Sequence, residues 1–184
     1  MPLTYIAVLV VVAATILWIS LTQRNLMKME EHTRDALSQI GSQLALGFDT
    51  LTTLKDLAGN YTQNGSIALI EAILSGQAVI TPKSTPNEVL FQEWIIVESL
   101  ARIAMVADQY PELKANQTFI TAMERVQDIQ QKMRISHLHY NDCVRILNRE
   151  IRTFPKSIIS GILGFRQREY LVEWAGMRLA LSVI

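Results

Sequence analysis

Composition and charge narrow the classes of protein that this chain can represent. The sequence has 184 residues, of which 49% are hydrophobic, and its 17 basic side chains are balanced by 17 acidic ones. A chain of this size buries a single core, so one domain with an anchor is expected. The balanced charge argues against a nucleic-acid partner, which requires a clustered basic face. The single cysteine, Cys143, excludes an intramolecular disulfide.

The start of the chain has the composition of a membrane span. Residues 1–23 carry no charged side chain, and residues 3–21 are nearly all Leu, Ile, Val and Ala, with Tyr5 and Trp18 near the two ends. This stretch is long enough to cross a hydrocarbon core of about 30 Å. A cleaved signal peptide is the alternative, but its basic first segment is absent and the apolar run exceeds the usual ~7–15 residues. We therefore expect an uncleaved transmembrane anchor over residues 1–23, embedded in the lipid bilayer through residues 3–21.

The charges beside the span indicate its orientation. No basic residue precedes it, whereas Arg24, Lys28 and Arg34 follow it. The positive-inside rule then places the bundle in the cytoplasm and the N-terminus outside. The competing arrangement has the bundle outside, because Glu30 and Glu31 dilute the basic flank.

Residues 21–58 continue without a helix breaker and repeat apolar side chains about twice in every seven positions. The repeat consists of Leu37, Ile40, Leu44, Leu51, Leu54, Ala58 and Tyr61. This spacing predicts a long helix with an apolar seam, continuous with the membrane span. Gly47 occupies a seam position, which weakens the helix by up to ~1 kcal/mol but lets a neighbouring backbone or large side chain come close.

The middle of the chain contains clear start and stop signals. Breakers near residues 59–66 precede a short apolar helix over about residues 67–75, and a loop over residues 76–84 follows. Thr85 and Glu88 form a capping box with Pro86 at the first helical position, so a helix should run from there to Tyr110. Two adjacent apolar stripes predict that this helix is buried over a wide face, with Trp94 as a core aromatic.

Residues 119–154 form the clearest heptad pattern in the sequence. The seam consists of Phe119, Val126, Met133, Tyr140, Leu147 and Phe154. A helix of this length is a rod of roughly 54 Å that needs partners along its length. We expect Asn116 to cap it, and we expect it to pair with the first rod. The predicted fold is an all-α antiparallel helical bundle of coiled-coil type with an N-terminal transmembrane helix.

The last segments are apolar but too short to span a bilayer. Residues 157–165 are apolar, Arg166 and Arg168 add positive charge, and the tail over residues 171–184 is apolar on both helical faces. We assign residues 24–170 to the bundle and expect the tail helix to dock on another surface. In a related hypothesis, residues 158–165 and the tail make a second contact with the bilayer.

A spaced set of residues, on the two long helices and in the segments that flank the second one, resembles the LemA family of bacterial membrane-anchored proteins. The set includes Gln39, Ile40, Gln43, Leu44, Asp49, Tyr110, Pro111, Asn116, Tyr140, Asn141, Val144, Asn148, Ile151, Phe154, Pro155, Ile158, Ile159, Gly161, Gly164 and Phe165. The resemblance covers most of the chain up to Tyr170. It implies a membrane span followed by long antiparallel helices, with no established enzymatic activity. One relative takes part in building the magnetosome membrane compartment, so membrane organisation is a role that the resemblance permits.

The chain departs from the family at several charged positions. Leu46 and Gly47 stand where relatives usually have two arginines, and Gln130 and His137 stand where relatives have an acid and an arginine. Losing both signs together avoids leaving one buried charge unpaired, which would cost ~3–5 kcal/mol. Gln130 and His137 fall on seam positions seven residues apart. We interpret them as a polar core pair held by hydrogen bonds, and the alternative is a pH-sensitive or ligand-binding pair.

The remaining candidates are weaker as chemistry. His139 and Cys143 share a helix face, but two ligands do not make a metal site. The sequence lacks a phosphate loop, a nucleophile elbow and an HExxH motif, so no catalytic residue, cofactor or metal is predicted. The alternative to a non-enzymatic protein is a metal- or ligand-binding protein or an enzyme, with its site near His137, His139 and Cys143.

Five residues are distinctive enough to be a structural or interaction motif: Tyr140, Asn141, Asn148, Phe154 and Pro155. The structural interpretation makes Tyr140 and Phe154 seam residues, places both asparagines at the seam edge and lets Pro155 end the rod. The functional interpretation makes them a partner-binding end of the bundle. The leading hypothesis is a membrane-anchored scaffold or interaction protein, with a homo-oligomer or a membrane protein as partner.

Overall fold

A computed structural model describes residues 2–61 and 65–172, and every regular element in this part of the chain is an α-helix. The elements are α1 (Pro2–Gly59), α2 (Gly65–Leu74), α3 (Pro86–Gln109), α4 (Pro111–Lys114), α5 (Gln117–Arg152) and α6 (Lys156–Leu163). The described residues therefore form the predicted all-α bundle. The predicted tail helix over residues 171–184 lies outside them from residue 173 onward.

Helix α1 joins the apolar segment to the bundle without a break, as predicted. Its first part contains a window long and apolar enough to cross a membrane, and none of that window is buried. Burial begins at Thr22 and continues at Leu26, so the bundle starts within about one turn of the end of the apolar stretch. The described residues leave this apolar surface uncovered, which makes it a candidate membrane span.

Helices α1 and α5 pack antiparallel along the whole bundle. At one end Leu26 clusters with Leu147 and Ile151. At the other end the Asn116 amide donates a hydrogen bond to the Tyr61 hydroxyl, at 3.5 Å. The predicted pairing of the two rods is confirmed, and the seam residues of both helices supply the core.

The predicted helix starts are confirmed by their side-chain caps. The Asn116 carboxamide oxygen accepts hydrogen bonds from the backbone N–H groups of Thr118 and Phe119 at the start of α5. At the start of α3, the Thr85 hydroxyl accepts from the Glu88 N–H while the Glu88 carboxylate accepts from the Thr85 N–H. Each cap satisfies backbone donors that a helix leaves without an internal partner.

Helix α3 is buried over a wide face, as predicted. Trp94 is 48% exposed, but both predicted stripes supply buried residues: Leu90, Val97, Ile96, Leu100 and Ile103. The Trp94 ring stacks on Phe91 with ring centroids 5.9 Å apart. The prediction that Trp94 is a core aromatic is wrong, because α1 and α2 cover one side of α3 and Trp94 lies on the opposite side.

Two glycines of α1 allow close contacts. A Cβ atom on Gly47 would lie 2.9 Å from the Ile96 Cδ1 atom, so the prediction of a close neighbour at Gly47 is confirmed. A Cβ atom on Gly41 would lie 2.9 Å from the backbone oxygen of Ile80, in the loop between α2 and α3. This loop therefore crosses α1 directly over a glycine.

Helix α5 ends two residues earlier than the heptad pattern predicts. It stops at Arg152, and Phe154 is exposed in the turn before α6. The assignment of Phe154 to the seam is wrong, because a residue beyond the helix end no longer follows the helical repeat. Pro155 lies in the same turn, where its ring is compatible with a helix stop.

Candidate functional site

The distinctive residues of α5 hold an extended segment of the same chain. After α6, Gly164 adopts a left-handed conformation with φ of 76°, which glycine adopts without strain, and reverses the chain direction. Residues 165–172 then run without helical structure along α5. We call this stretch the strap.

Two asparagines bind the strap through its backbone. The Asn148 carboxamide donates to the Arg168 carbonyl oxygen and accepts from the Arg168 N–H, both at 2.9 Å. The Asn141 carboxamide makes the same two bonds with Leu171, also at 2.9 Å. The Tyr140 hydroxyl adds a bond to the Glu169 carbonyl oxygen at 3.1 Å. We call Tyr140, Asn141 and Asn148 the clamp.

The spacing of the clamp matches the spacing of an extended chain. Asn141 and Asn148 are two helical turns apart, which corresponds to a rise of about 10.5 Å. Arg168 and Leu171 are three residues apart, which corresponds to about 10 Å in extended backbone. Since each carboxamide offers one donor and one acceptor side, it can pair with both polar groups of one residue. The clamp therefore recognises backbone rather than side chains.

Burial strengthens these contacts. Asn148 is only 7% exposed, and Leu171 packs into the main core. Burial also raises the pKa of the Tyr140 phenol above its ordinary value; the Arg168 charge opposes this rise and the Glu169 charge adds to it. A neutral phenol is thereby favoured, and a neutral phenol can donate the bond to the strap.

An ion-pair chain connects the strap to α1. The Arg168 guanidinium lies 2.7 Å from a Glu30 carboxylate oxygen, and Arg34 lies 3.0 Å from the same oxygen. The strap thus contacts both long helices at the end of the bundle where the apolar first part of α1 begins. A shallow cleft lined by Arg34, Lys83 and Tyr140 opens beside it.

The second polar cluster is a buried pair between α5 and α3. His137 and Glu93 are both nearly fully buried, and His137 Nε2 is in hydrogen-bonding contact with Glu93 Oε1. This corrects the expected pairing of His137 with Gln130, which lies two turns away along the same helix, about 10.5 Å. The Gln130 Nε2 atom is buried and has no hydrogen-bond partner in the described part of the chain.

Sequence reasoning missed Glu93, although a signal for it exists. In α3, Glu93 occupies the core-facing repeat formed by Val89, Ile96, Leu100, Ile103 and Ala107. A carboxylate on such a stripe requires a buried partner. His137 is the partner that α5 supplies.

The remaining metal-ligand types do not converge. The Cys143 sulfur lies 3.9 Å from His139 Nε2 near the surface, whereas His137 faces the core. Burial, with a smaller contribution from Asp142, raises the pKa of the Cys143 thiol and so disfavours the thiolate that binds metals. Over the described residues no group of three or more His, Cys, Asp or Glu side chains could hold a metal ion.

Comparison with protein families matches residues 36–178 to the LemA family. The match includes the clamp, the buried pair and the strap, and it continues past Tyr170, beyond the residues that carry the sequence resemblance. No curated protein matches the chain.

Proposed function

Because the chain belongs to the LemA family, we propose that it is a single-pass membrane protein whose bundle is a non-enzymatic interaction or scaffolding module. The observation that carries the proposal is the continuity of α1: an apolar window with none of its residues buried leads without interruption into a helix that forms the core. A rigid helix of this kind fixes the bundle close to a bilayer. Membrane organisation, or assembly of a membrane compartment, is the role we propose for it.

The orientation is also proposed from charge. Arg24, Lys28 and Arg34 follow the span and no basic residue precedes it. In a bacterial membrane this distribution favours a cytoplasmic bundle.

The partner surface that we propose is the outward face of α3. The stacked rings of Phe91 and Trp94 are both about half exposed, and Met105 lies exposed further along the same helix. Exposed aromatic clusters are typical of protein interfaces, where large rings bury much area on contact. A second copy of the chain or another membrane protein is the partner we expect.

Two experiments test these statements. Alkaline carbonate extraction of bacterial membranes should leave the full chain in the pellet, and protease added to intact spheroplasts should leave the bundle intact. A chain released by carbonate would refute the anchor, and a digested bundle would refute the orientation.

The interaction module is tested by photocrosslinking from Trp94. A photoreactive residue at position 94 should give crosslinked products, whereas the same residue at the exposed control position Ile135 on α5 should give few. If no oligomer or partner is recovered from either position, the interaction module is wrong.

A further inference from the structure

Helix α6 lies across the end of the bundle that is nearest the membrane segment. The Ser160 hydroxyl donates to the Ile151 carbonyl oxygen at 3.1 Å, which fixes α6 to the last turn of α5. Just beyond α6, Phe165 packs against the cluster that contains Leu26 of α1. Leu26 is only five residues past Leu21, a rise of about 7.5 Å. Helix α6 is therefore at the level where α1 leaves the apolar span.

Both sides of α6 carry apolar side chains, but the described part of the chain covers only one of them. Ile159 and Ser160 are buried against the bundle. On the other side, Ile158 is 56% exposed and Ile162, one turn later, is 79% exposed. Phe154, in the preceding turn, is also exposed. These large side chains form an uncovered apolar surface beside the span.

The charge of the chain is unevenly distributed around this surface. Residues 20–30 and 149–168 together carry seven basic and two acidic side chains, whereas the remainder carries ten basic and fifteen acidic ones. Within the described residues, Arg24, Arg152 and Arg166 form no ion pair. The net charge of the whole chain is therefore zero, although the end of the bundle beside the span is positively charged. Such an end complements anionic lipid headgroups.

We propose that α6 is an interfacial helix: Ile158, Ile162 and Phe154 insert into the bilayer that holds α1, and the surrounding arginines bind anionic lipid headgroups. This inference rests on the proposed membrane anchor. The bilayer is the expected occupant, because α1 holds α6 at the membrane surface and because apolar side chains flanked by arginines suit the headgroup boundary. The second contact limits pivoting of the bundle about a single helix.

The test uses the full chain reconstituted in vesicles that contain phosphatidylglycerol. In a Cys143→Ser background, Ile162→Cys is labelled with an environment-sensitive fluorophore, and Ile135→Cys on α5 is the matched control. Both positions are exposed isoleucines of the bundle. Ile135 lies about 24 Å along α5 from Ile151, the residue to which α6 is bonded. Lipids with a spin label on the acyl chain should quench the fluorophore at position 162 about threefold more than at position 135, as expected for an interfacial helix.

Equal quenching at the two positions would overturn the proposal. The fluorophore at position 162 could instead be shielded only at high protein-to-lipid ratio, without quenching by the labelled lipid. That result would show that a second copy of the chain covers α6, and it would also overturn the proposal. Circular dichroism checks that each variant is folded, and Ile158→Cys provides an independent site with the same expected result. Carbonate extraction of the same samples tests the α1 anchor separately, so its failure is distinguishable from failure of the α6 contact.

Discussion

Replacing Asn148 with alanine should release the strap without unfolding the bundle. The substitution removes both hydrogen bonds to Arg168. A hydrogen bond contributes about 0.5–1.5 kcal/mol net, so the two together correspond to about 1–3 kcal/mol. Because Asn141 and Tyr140 still hold the following residues, the loss should be confined to the strap.

Hydrogen exchange measures this local opening directly. If opening of the strap becomes easier by about 1–3 kcal/mol, its amide protons should exchange about 5- to 150-fold faster, since each 1.4 kcal/mol is a factor of ten. The effect should be largest at the Arg168 amide, and amides in the middle of α5 should keep their native rates. Asn87→Ala, which removes an exposed carboxamide from the first turn of α3, is the control. Unchanged exchange at Arg168 in Asn148→Ala would refute the clamp as the element that holds the strap.

Three further predictions concern stability of the detergent-solubilised chain, measured by urea titration. His137→Ala should lower the free energy of unfolding by about 3–5 kcal/mol, because it leaves Glu93 buried without its partner. Changing both residues to leucine should recover most of this loss. Equal destabilisation by the single and double variants would contradict the prediction. Gly41→Ala should cost about 1–3 kcal/mol, because its Cβ would meet a backbone oxygen that cannot easily move, and Gly59→Ala, which faces open space, should not be destabilising; equal losses would contradict the close contact. Burial raises the pKa of Tyr140 in the folded state above its ordinary value of 10.0. The contribution of the neutral phenol to the free energy of unfolding is therefore complete below pH 10.0, and it is lost as the pH rises through the folded-state pKa. Tyr140→Phe should therefore reduce the fall in stability between about pH 9 and about pH 11, and an unchanged fall would contradict this.

The long helices could be predicted because their signals are local and repeated. The heptad seam of α5 and the caps at Asn116 and Thr85 each depend on residues close together in sequence. Errors arose where a second element decides the outcome. The apolar pattern of α3 continues from its buried face to Trp94, and only the positions of α1 and α2 determine where burial around this helix stops.

The site was harder to predict, because each of its contacts joins segments distant in sequence. Asn141 and Asn148 could be recognised as unusual, but their partners follow a chain reversal at Gly164. Similarly, the heptad pattern identifies His137 as a polar seam residue, but its partner Glu93 lies on α3, 44 residues away in the sequence. Polar residues on a seam indicate that a partner is required, but the fold determines which one.

The clamp and α6 are physically parts of one arrangement. Helix α6 is fixed to the last turn of α5 through Ser160, and the strap that follows α6 is fixed by the clamp on α5. Weakening the clamp loosens the chain that follows α6, so that α6 is held by the Ser160 hydrogen bond and the Phe165 contact. If α6 inserts into lipid, Asn148→Ala should therefore reduce the quenching at position 162 as well as the protection of the strap. Loss of strap protection with unchanged quenching would show that the bilayer holds α6 without help from the clamp.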